Sequence, residues 1–307
     1  YVSVGFYLIY RISRRYFSVF SSILAILGIW LAANPIYYTI IEPSMSQGAQ
    51  LFTTALFMYI WLPFRFRTYK DWFFIGITVG LMALIHWQNL IFISVLIAEG
   101  FYFIIKSEKD KKWAVVQRYI KGGFIAICAA LLIYTPQMLT WNAMFGFPIV
   151  NPRDLNQLDL LHPKLWQYLF SPGCSLLIWT PIMFLAVLWF IPLYKKDKKV
   201  AICLFITFLL QWYFYSCTAY KQGSYGARHF VSSSPIFVLT LAALIESRIK
   251  KHPHEYLWIL SIFTILLIWN LLFIAQYTLK FIPHDGSISW DELIWGKFKM
   301  IKHLIRY

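Results

Sequence analysis

The stretch "KQGSYGARHF" at residues 221–230 sets Lys221, Arg228 and His229 among Gly223, Gly226 and Tyr225, with Tyr220 just before it, between two strongly apolar runs. Glycines let backbone approach a ligand closely, the cations supply positive charge, and the tyrosines supply aromatic faces. Such a set suits an anionic phosphate at a lipid–water boundary, where one arginine binds two oxygens at once. Arg228 is the sharper clue, because it lies within a few residues of the run that begins near Val231. A cation there needs an anionic partner or an escape to the interface. The plainer reading is a loop whose cations meet lipid headgroups or neighbouring acids, and a lone GxxG does not decide between the two.

Other polar residues gather in the same kind of place. In "YYTIIEPSMSQ", Glu42 stands just outside a helix end, where a carboxylate serves as general base or metal ligand, or, with Ser44, caps the helix that follows. In "ALIHWQNLIF", His86, Trp87, Gln88 and Asn89 interrupt apolar sequence. They form either a tight polar turn with an interfacial tryptophan or a set of hydrogen-bonding groups for a sugar or polar headgroup. Residues 151–181 hold Arg153, Asp154, Asp159 and His162 without metal-ligand spacing, and the four cysteines (Cys128, Cys174, Cys203, Cys217) show neither CxxC nor Cys/His spacing. No metal site or disulfide framework is assigned. Glu99, in "VLIAEGFYF", is a single acid inside an apolar run, suited to helix packing and a poor start for a proton relay.

Membrane helices are the expected scaffold for these residues. Of 307 residues 60% are hydrophobic and 13% charged, with a mean hydropathy of +0.61, which no ordinary soluble domain shows. The net charge of +15 sits in short clusters between apolar runs, without a basic face interleaved with aromatics, so nucleic acid is excluded as a partner. At about 20 apolar residues per crossing, the chain reads as an all-α polytopic bundle of about ten crossings. They fall near 1–10, 17–38, 49–64, 73–86, 90–105, 122–139, 174–194, 200–217, 231–247 and 255–279. With alternating crossings, 19 of the 28 basic residues share one face, which the positive-inside rule makes cytoplasmic. The opposite face receives the segments 34–50, "HWQN", 140–173 and 219–230. It also receives the tail 280–307, whose apolar spacing predicts an amphipathic helix lying on the outer leaflet.

In order and spacing, "YRISRRYFSVFSSILAIL" (10–27), "EPSMSQGAQLFTTALFMYIWL" (42–62), "WFFIGITVGLMALIHWQNLIF" (72–92), "YLFSPGCSLLIWTPIMFL" (168–185) and "GSYGARHFVSSSPIFVL" (223–239) resemble the bacterial branch of the GT-C class of membrane glycosyltransferases. That branch contains relatives of the dolichyl-phosphate-mannose protein mannosyltransferase and of the aminoarabinose transferase. The resemblance implies transfer of a sugar from a polyprenyl-phosphate donor to a lipid, glycan or protein acceptor. The active face would be extracytoplasmic, on the bacterial inner membrane. It implies that Arg228, with Lys221, holds the donor phosphate, and that Tyr225, His229, His86, Gln88 and Asn89 line the substrate. The family's catalytic Asp would precede Tyr1, leaving Glu42 a supporting acid; His86 stands where relatives often carry a larger charged residue. A divalent metal and protein partners stay open. The rival readings are a non-catalytic subunit of a larger membrane complex and a polytopic transporter or flippase. A transporter calls for polar residues through the midplane and broken helices there.

Overall fold

The computed structural model describes residues 1–62, 67–150, 158–218, 224–284 and 288–305, so Lys221, Gly223, Arg153 and Asp154 lie outside the described residues. Regular structure within them is helical, with one isolated bridge between Leu158 and Thr218. The helices are α1 Val2–Ser13, α2 Val19–Leu31, α3 Gln47–Trp61, α4 Tyr69–Ile85, α5 Ser94–Lys106, α6 Lys112–Phe145, α7 Leu165–Phe170, α8 Leu176–Trp179, α9 Pro181–Leu188, α10 Phe190–Lys196, α11 Lys198–Ser216, α12 Ser234–Lys251, α13 Tyr256–Thr278, α14 Trp290–Ile294 and α15 Gly296–Ile305. A π-helical turn spans Tyr37–Ile41, and 3-10 segments at Trp87–Ile93 and Arg228–Ser233 lead directly into α5 and α12.

Among the described residues, five stretches are long and apolar enough to cross a membrane: Trp87–Lys106, Lys109–Phe145, Lys198–Ser216, Arg228–Lys251 and Tyr256–Thr278. They make the chain a membrane protein. The count of about ten does not emerge from length alone. Helices α1 and α2 are apolar but short, and the run expected as one crossing over 174–194 is broken twice. Both breaks have a proline behind them. Thr180, immediately before Pro181, leaves the helical region, as the residue before a proline tends to do. Trp189 leaves it three residues before Pro192, whose ring collides with the carbonyl four positions back. At "HWQN" the expected turn is present: α4 stops at Ile85, His86 is extended, and a new helical segment starts at Trp87.

Side-chain contacts sort the loops into two ends. At one end, Glu246 on α12 pairs with Lys250 and accepts hydrogen bonds from the Ser18 N–H and Ser21 hydroxyl, holding the start of α2. Arg248 lies over Trp189, and Tyr16 reaches Asp197. At this end too, Glu99 is fully buried and meets Arg67 at 2.5 Å, Lys199 at 2.9 Å and the Tyr119 hydroxyl at 3.0 Å. The acid therefore ties α5 to α6, α11 and the connection after α3, as a packing role predicts. Between the ends, Thr54, Gln211, Ser232 and Ser233 form a buried hydrogen-bonded layer, with Ser94 bonded to Thr207 beside it. It fastens the Arg228–Ser233 segment to α3 and α11.

Helix α6 packs on α4 through small residues. A Cβ at Gly76 would lie 2.3 Å from the Ala126 carbonyl oxygen, and one at Gly122 would lie 2.2 Å from the Trp72 ring. Close backbone approach is how helices gain packing in lipid, where no hydrophobic drive separates protein from solvent. The rest of α6 presents Phe124, Ile127, Leu131 and Leu132 outward.

The tail has a protein partner that its spacing did not specify: α14 and α15 dock on α13, with Leu293, Lys297 and Met300 buried. The Gln276 amide donates to the Glu292 carbonyl, and Lys297 inserts its ammonium over the rings of Phe273 and Trp269. Trp290, Trp295 and Phe298 remain exposed, so the amphipathic pattern is real, but part of its apolar face has a protein partner.

Candidate functional site

The end opposite the Glu99 cluster collects the residues singled out by type. Arg228 opens the 3-10 turn that feeds α12, half-buried, with its N–H donating to the Gly226 carbonyl at 2.9 Å. Gly226 has φ +57°, a left-handed conformation that a glycine adopts without strain. That turn is held from both sides. Asn34 donates to the Ala227 carbonyl at 3.0 Å, and the Tyr38 hydroxyl donates to the Tyr225 carbonyl at 2.9 Å. The Tyr225 hydroxyl in turn donates to Asn270 at 2.7 Å, whose amide donates to the carbonyls of Leu31 and Ala33. The backbone that aims Arg228 is therefore anchored to α2, to the Tyr37–Ile41 turn and to α13.

Aromatic rings fill the space behind it. Tyr225 stacks on Tyr37 at 4.5 Å and meets Trp179 and Tyr277 edge to face, and Tyr277 stacks on His284 at 4.2 Å. Tyr225 is 1% exposed, which places it inside the wall of the site and not on its surface. Burial raises the pKa of the Tyr225 hydroxyl well above that of a free tyrosine, so it stays a protonated donor.

Glu42 is half-buried and does not cap α3, whose N-cap position is Ser46. Its carboxylate accepts from the Tyr37 hydroxyl at 2.9 Å. Beside this loop a cavity of about 350 Å³ is lined by Tyr38, Ser44, Ser46, Gly48 and Leu84. Across the site the rings of His86 and His229 lie 6.3 Å apart, and His229 stacks on Tyr215 at 4.8 Å.

Arg228, Tyr225, His229, His86 and Glu42 therefore share one end of the bundle. Gln88 and Asn89 come to the same region but turn inward: both are buried, which sets their amides behind the surface expected to meet a sugar. Among the described residues no carboxylate lies within ion-pair distance of Arg228, and no cluster of three His, Cys, Asp or Glu is placed to hold a metal. His162 meets Asp159 at the exposed surface.

Sequence reasoning missed Asn34, Trp179, Asn270 and Tyr277, the residues that hold the site. Asn270 had a readable signal, a single amide inside the apolar run "LLIWNLLF". Trp179 had none, since one aromatic among many in an apolar run carries no mark of its contacts. Compared with protein-family models, curated proteins and solved structures, the chain gave no match.

Proposed function

We propose that the chain is a GT-C-type membrane glycosyltransferase, with about ten crossings, that moves a sugar from a polyprenyl-phosphate donor to a lipid, glycan or protein acceptor on the extracytoplasmic side of a bacterial inner membrane. The observation that carries the reading is Arg228. It is a half-buried guanidinium on a turn braced by Asn34, Tyr38 and Asn270, with no carboxylate in ion-pair distance among the described residues. It also stands at the first turn of a continuous helical stretch, Arg228–Lys251, whose N-terminal end favours an anion.

In the reaction the bond between the sugar's anomeric carbon and the phosphate oxygen breaks. The acceptor oxygen bonds to that carbon, its proton passes to a base, and polyprenyl phosphate leaves with the negative charge. Arg228 stabilises the charge as it grows on the leaving phosphate, with Lys221 assisting, which lowers the barrier directly. His229 and His86 flank the sugar, while Glu42, held by Tyr37, orients the acceptor beside the cavity at Ser44 and Ser46. Tyr225 acts through the backbone it anchors.

The test is transfer from polyprenyl-phosphate-linked sugars by the protein in nanodiscs. Arg228→Ala is expected to lower transfer by about 10²- to 10³-fold. Arg228→Lys should retain part of it, because the charge stays while the bidentate geometry is lost. Full transfer by a folded Arg228→Ala protein removes Arg228 from the site. Polyprenyl phosphate binding without transfer by the unaltered protein points to a non-catalytic carrier-binding subunit.

A further inference from the structure

One ring of α13 belongs both to the wall of the Arg228 site and to the dock of the tail. Phe273 is buried and stacks on Trp179, with ring centroids 5.3 Å apart. Trp179 in turn meets Tyr225 edge to face at 5.3 Å, and its Cβ lies 3.5 Å from the place a Cβ would take at Gly226. Tyr225 and Gly226 are two of the three residues that lead into Arg228. The same Phe273 ring holds the Lys297 ammonium 3.1 Å from its centroid, with the Trp269 ring 4.5 Å from that ammonium. Its neighbours on α13 divide the two tasks: Asn270 takes the Tyr225 hydroxyl, and Gln276 donates to the Glu292 carbonyl.

Elsewhere α13 has little to hold it. Trp258, Ile265, Ile268 and Leu271 are exposed, and beyond the turn that leads into it the main packing partners of α13 are α2, α9 and α15. The position of Phe273 therefore depends on what the tail sets against it. Lys297 is fully buried there, and its ammonium donates to the Leu293 carbonyl at 2.5 Å. Ring faces meet the charge, and no carboxylate lies within ion-pair distance of it among the described residues. The acids nearest in sequence, Asp291 and Glu292, are bound to Lys299 and Ser289. The slot therefore discriminates by charge. An aromatic face attracts a cation and repels an anion, while a methionine would keep the apolar stem and the ring contact.

We infer that the tail is a buttress of the Arg228 turn, with Lys297 as its positioning residue: Lys297 fixes Phe273, Phe273 fixes Trp179, and Trp179 backs Tyr225 and Gly226. Packed rings pass on a displacement because a close-packed interior yields little. Release of the tail leaves Phe273 without its partner and loosens the turn, while the bundle itself stays tied by the Glu99 cluster and the layer around Gln211. Only the ligand, polyprenyl phosphate, rests on the function proposed above; the contacts do not.

The test uses the full chain in nanodiscs and reads two quantities, hydrogen exchange of the amides from Gly226 to Ser233 and binding of polyprenyl phosphate. Lys297→Glu is expected to release the tail, to speed exchange at the turn about tenfold and to weaken binding about tenfold, an ordinary size for coupling between sites. Lys297→Met should keep both at the level of the unaltered protein. Leu293→Asp, which undocks the tail through a different buried residue, should repeat the loss. Trp179→Leu cuts the chain of rings, so adding Lys297→Glu to it should cost nothing more. The melting temperature of each variant is the folding control. Faster exchange of Gly296–Ile305 with an unchanged turn overturns the proposal, and so do additive losses in the paired Trp179→Leu and Lys297→Glu variant. Failure of polyprenyl phosphate to bind the unaltered protein overturns the donor-site reading, and exchange at the turn then decides the buttress by itself.

Discussion

Replacing Glu99 by Gln keeps the volume of the side chain and removes one buried charge. Three donors converge on that carboxylate: Arg67 at 2.5 Å, Lys199 at 2.9 Å and Tyr119 at 3.0 Å. After the change, two cations face one neutral amide, and an N–H₂ group points at a donor. Lys199, whose side chain is 17% exposed, can turn toward water; Arg67, at 3%, cannot. The cost therefore falls mainly on the stranded guanidinium, and breaking a buried pair in this way costs about 3–5 kcal/mol. We place Glu99→Gln near the lower bound, because one of the two cations can escape. Reversible unfolding in mixed detergent micelles measures it. Adding Arg67→Gln should recover at least about 1 kcal/mol relative to additivity, since the stranded charge is then gone. A Glu99→Gln loss below about 1 kcal/mol, or strictly additive losses in the double variant, refutes the cluster as a structural tie among α5, α6 and α11.

The tail gives a pH-dependent prediction. Burial holds the Lys297 amine down to about 7 from an ordinary 10.5, although the ring faces of Phe273 and Trp269 favour the ammonium form. Below about pH 7 docked and free tails are both protonated and the burial cost is present in full; from there to about 10.5 only the free tail keeps its proton. Docking should tighten across that window, read as slower hydrogen exchange of Gly296–Ile305 after correction for intrinsic rates, and Lys297→Met should flatten the profile. At Gly226 a Cβ would meet only ordinary contacts, the nearest at 3.5 Å from Trp179, so Gly226→Ala carries the backbone cost alone, about 1–2 kcal/mol by thermal unfolding. A loss above about 4 kcal/mol would mean that contacts around the turn also fail.

Legibility followed the kind of signal each element carries. The turn at His86 could be read because three polar residues and an interfacial tryptophan interrupt an apolar run, and membrane helices leave few other reasons for such an interruption. The apolar stripe of the tail could be read as amphipathic, but not its partner, because an apolar face seeks lipid and protein alike. The run 174–194 looked continuous on apolar content, yet Pro181 and Pro192 each remove a donor and crowd the preceding turn, and they break the helix at Thr180 and Trp189. Among the candidate site residues, Arg228, His229, His86, Tyr225 and Glu42 were chosen by type, and the structure brings them to one end of the bundle. Which of them face outward was not legible, since that depends on contacts such as Tyr225 with Asn270, 45 residues away.

The two ends of the bundle treat their cations differently, and that difference gives Arg228 its meaning. Arg67 and Lys199 are drawn inward and neutralised by Glu99, so their charges hold helices together. Arg228 is given rigid backbone and aromatic walls, yet no described carboxylate pairs with it. A fold that merely had to house an arginine near the membrane boundary would let it snorkel from a loose loop, as long cationic side chains do at low cost. Here its turn is braced instead by Asn34 from the end of α2, Tyr38 from the turn after it, and Asn270 from α13. Three separate elements fix the backbone that carries Arg228, so under the proposed function the donor phosphate would meet an arginine whose turn is already ordered and would bear less of the entropy cost of ordering it.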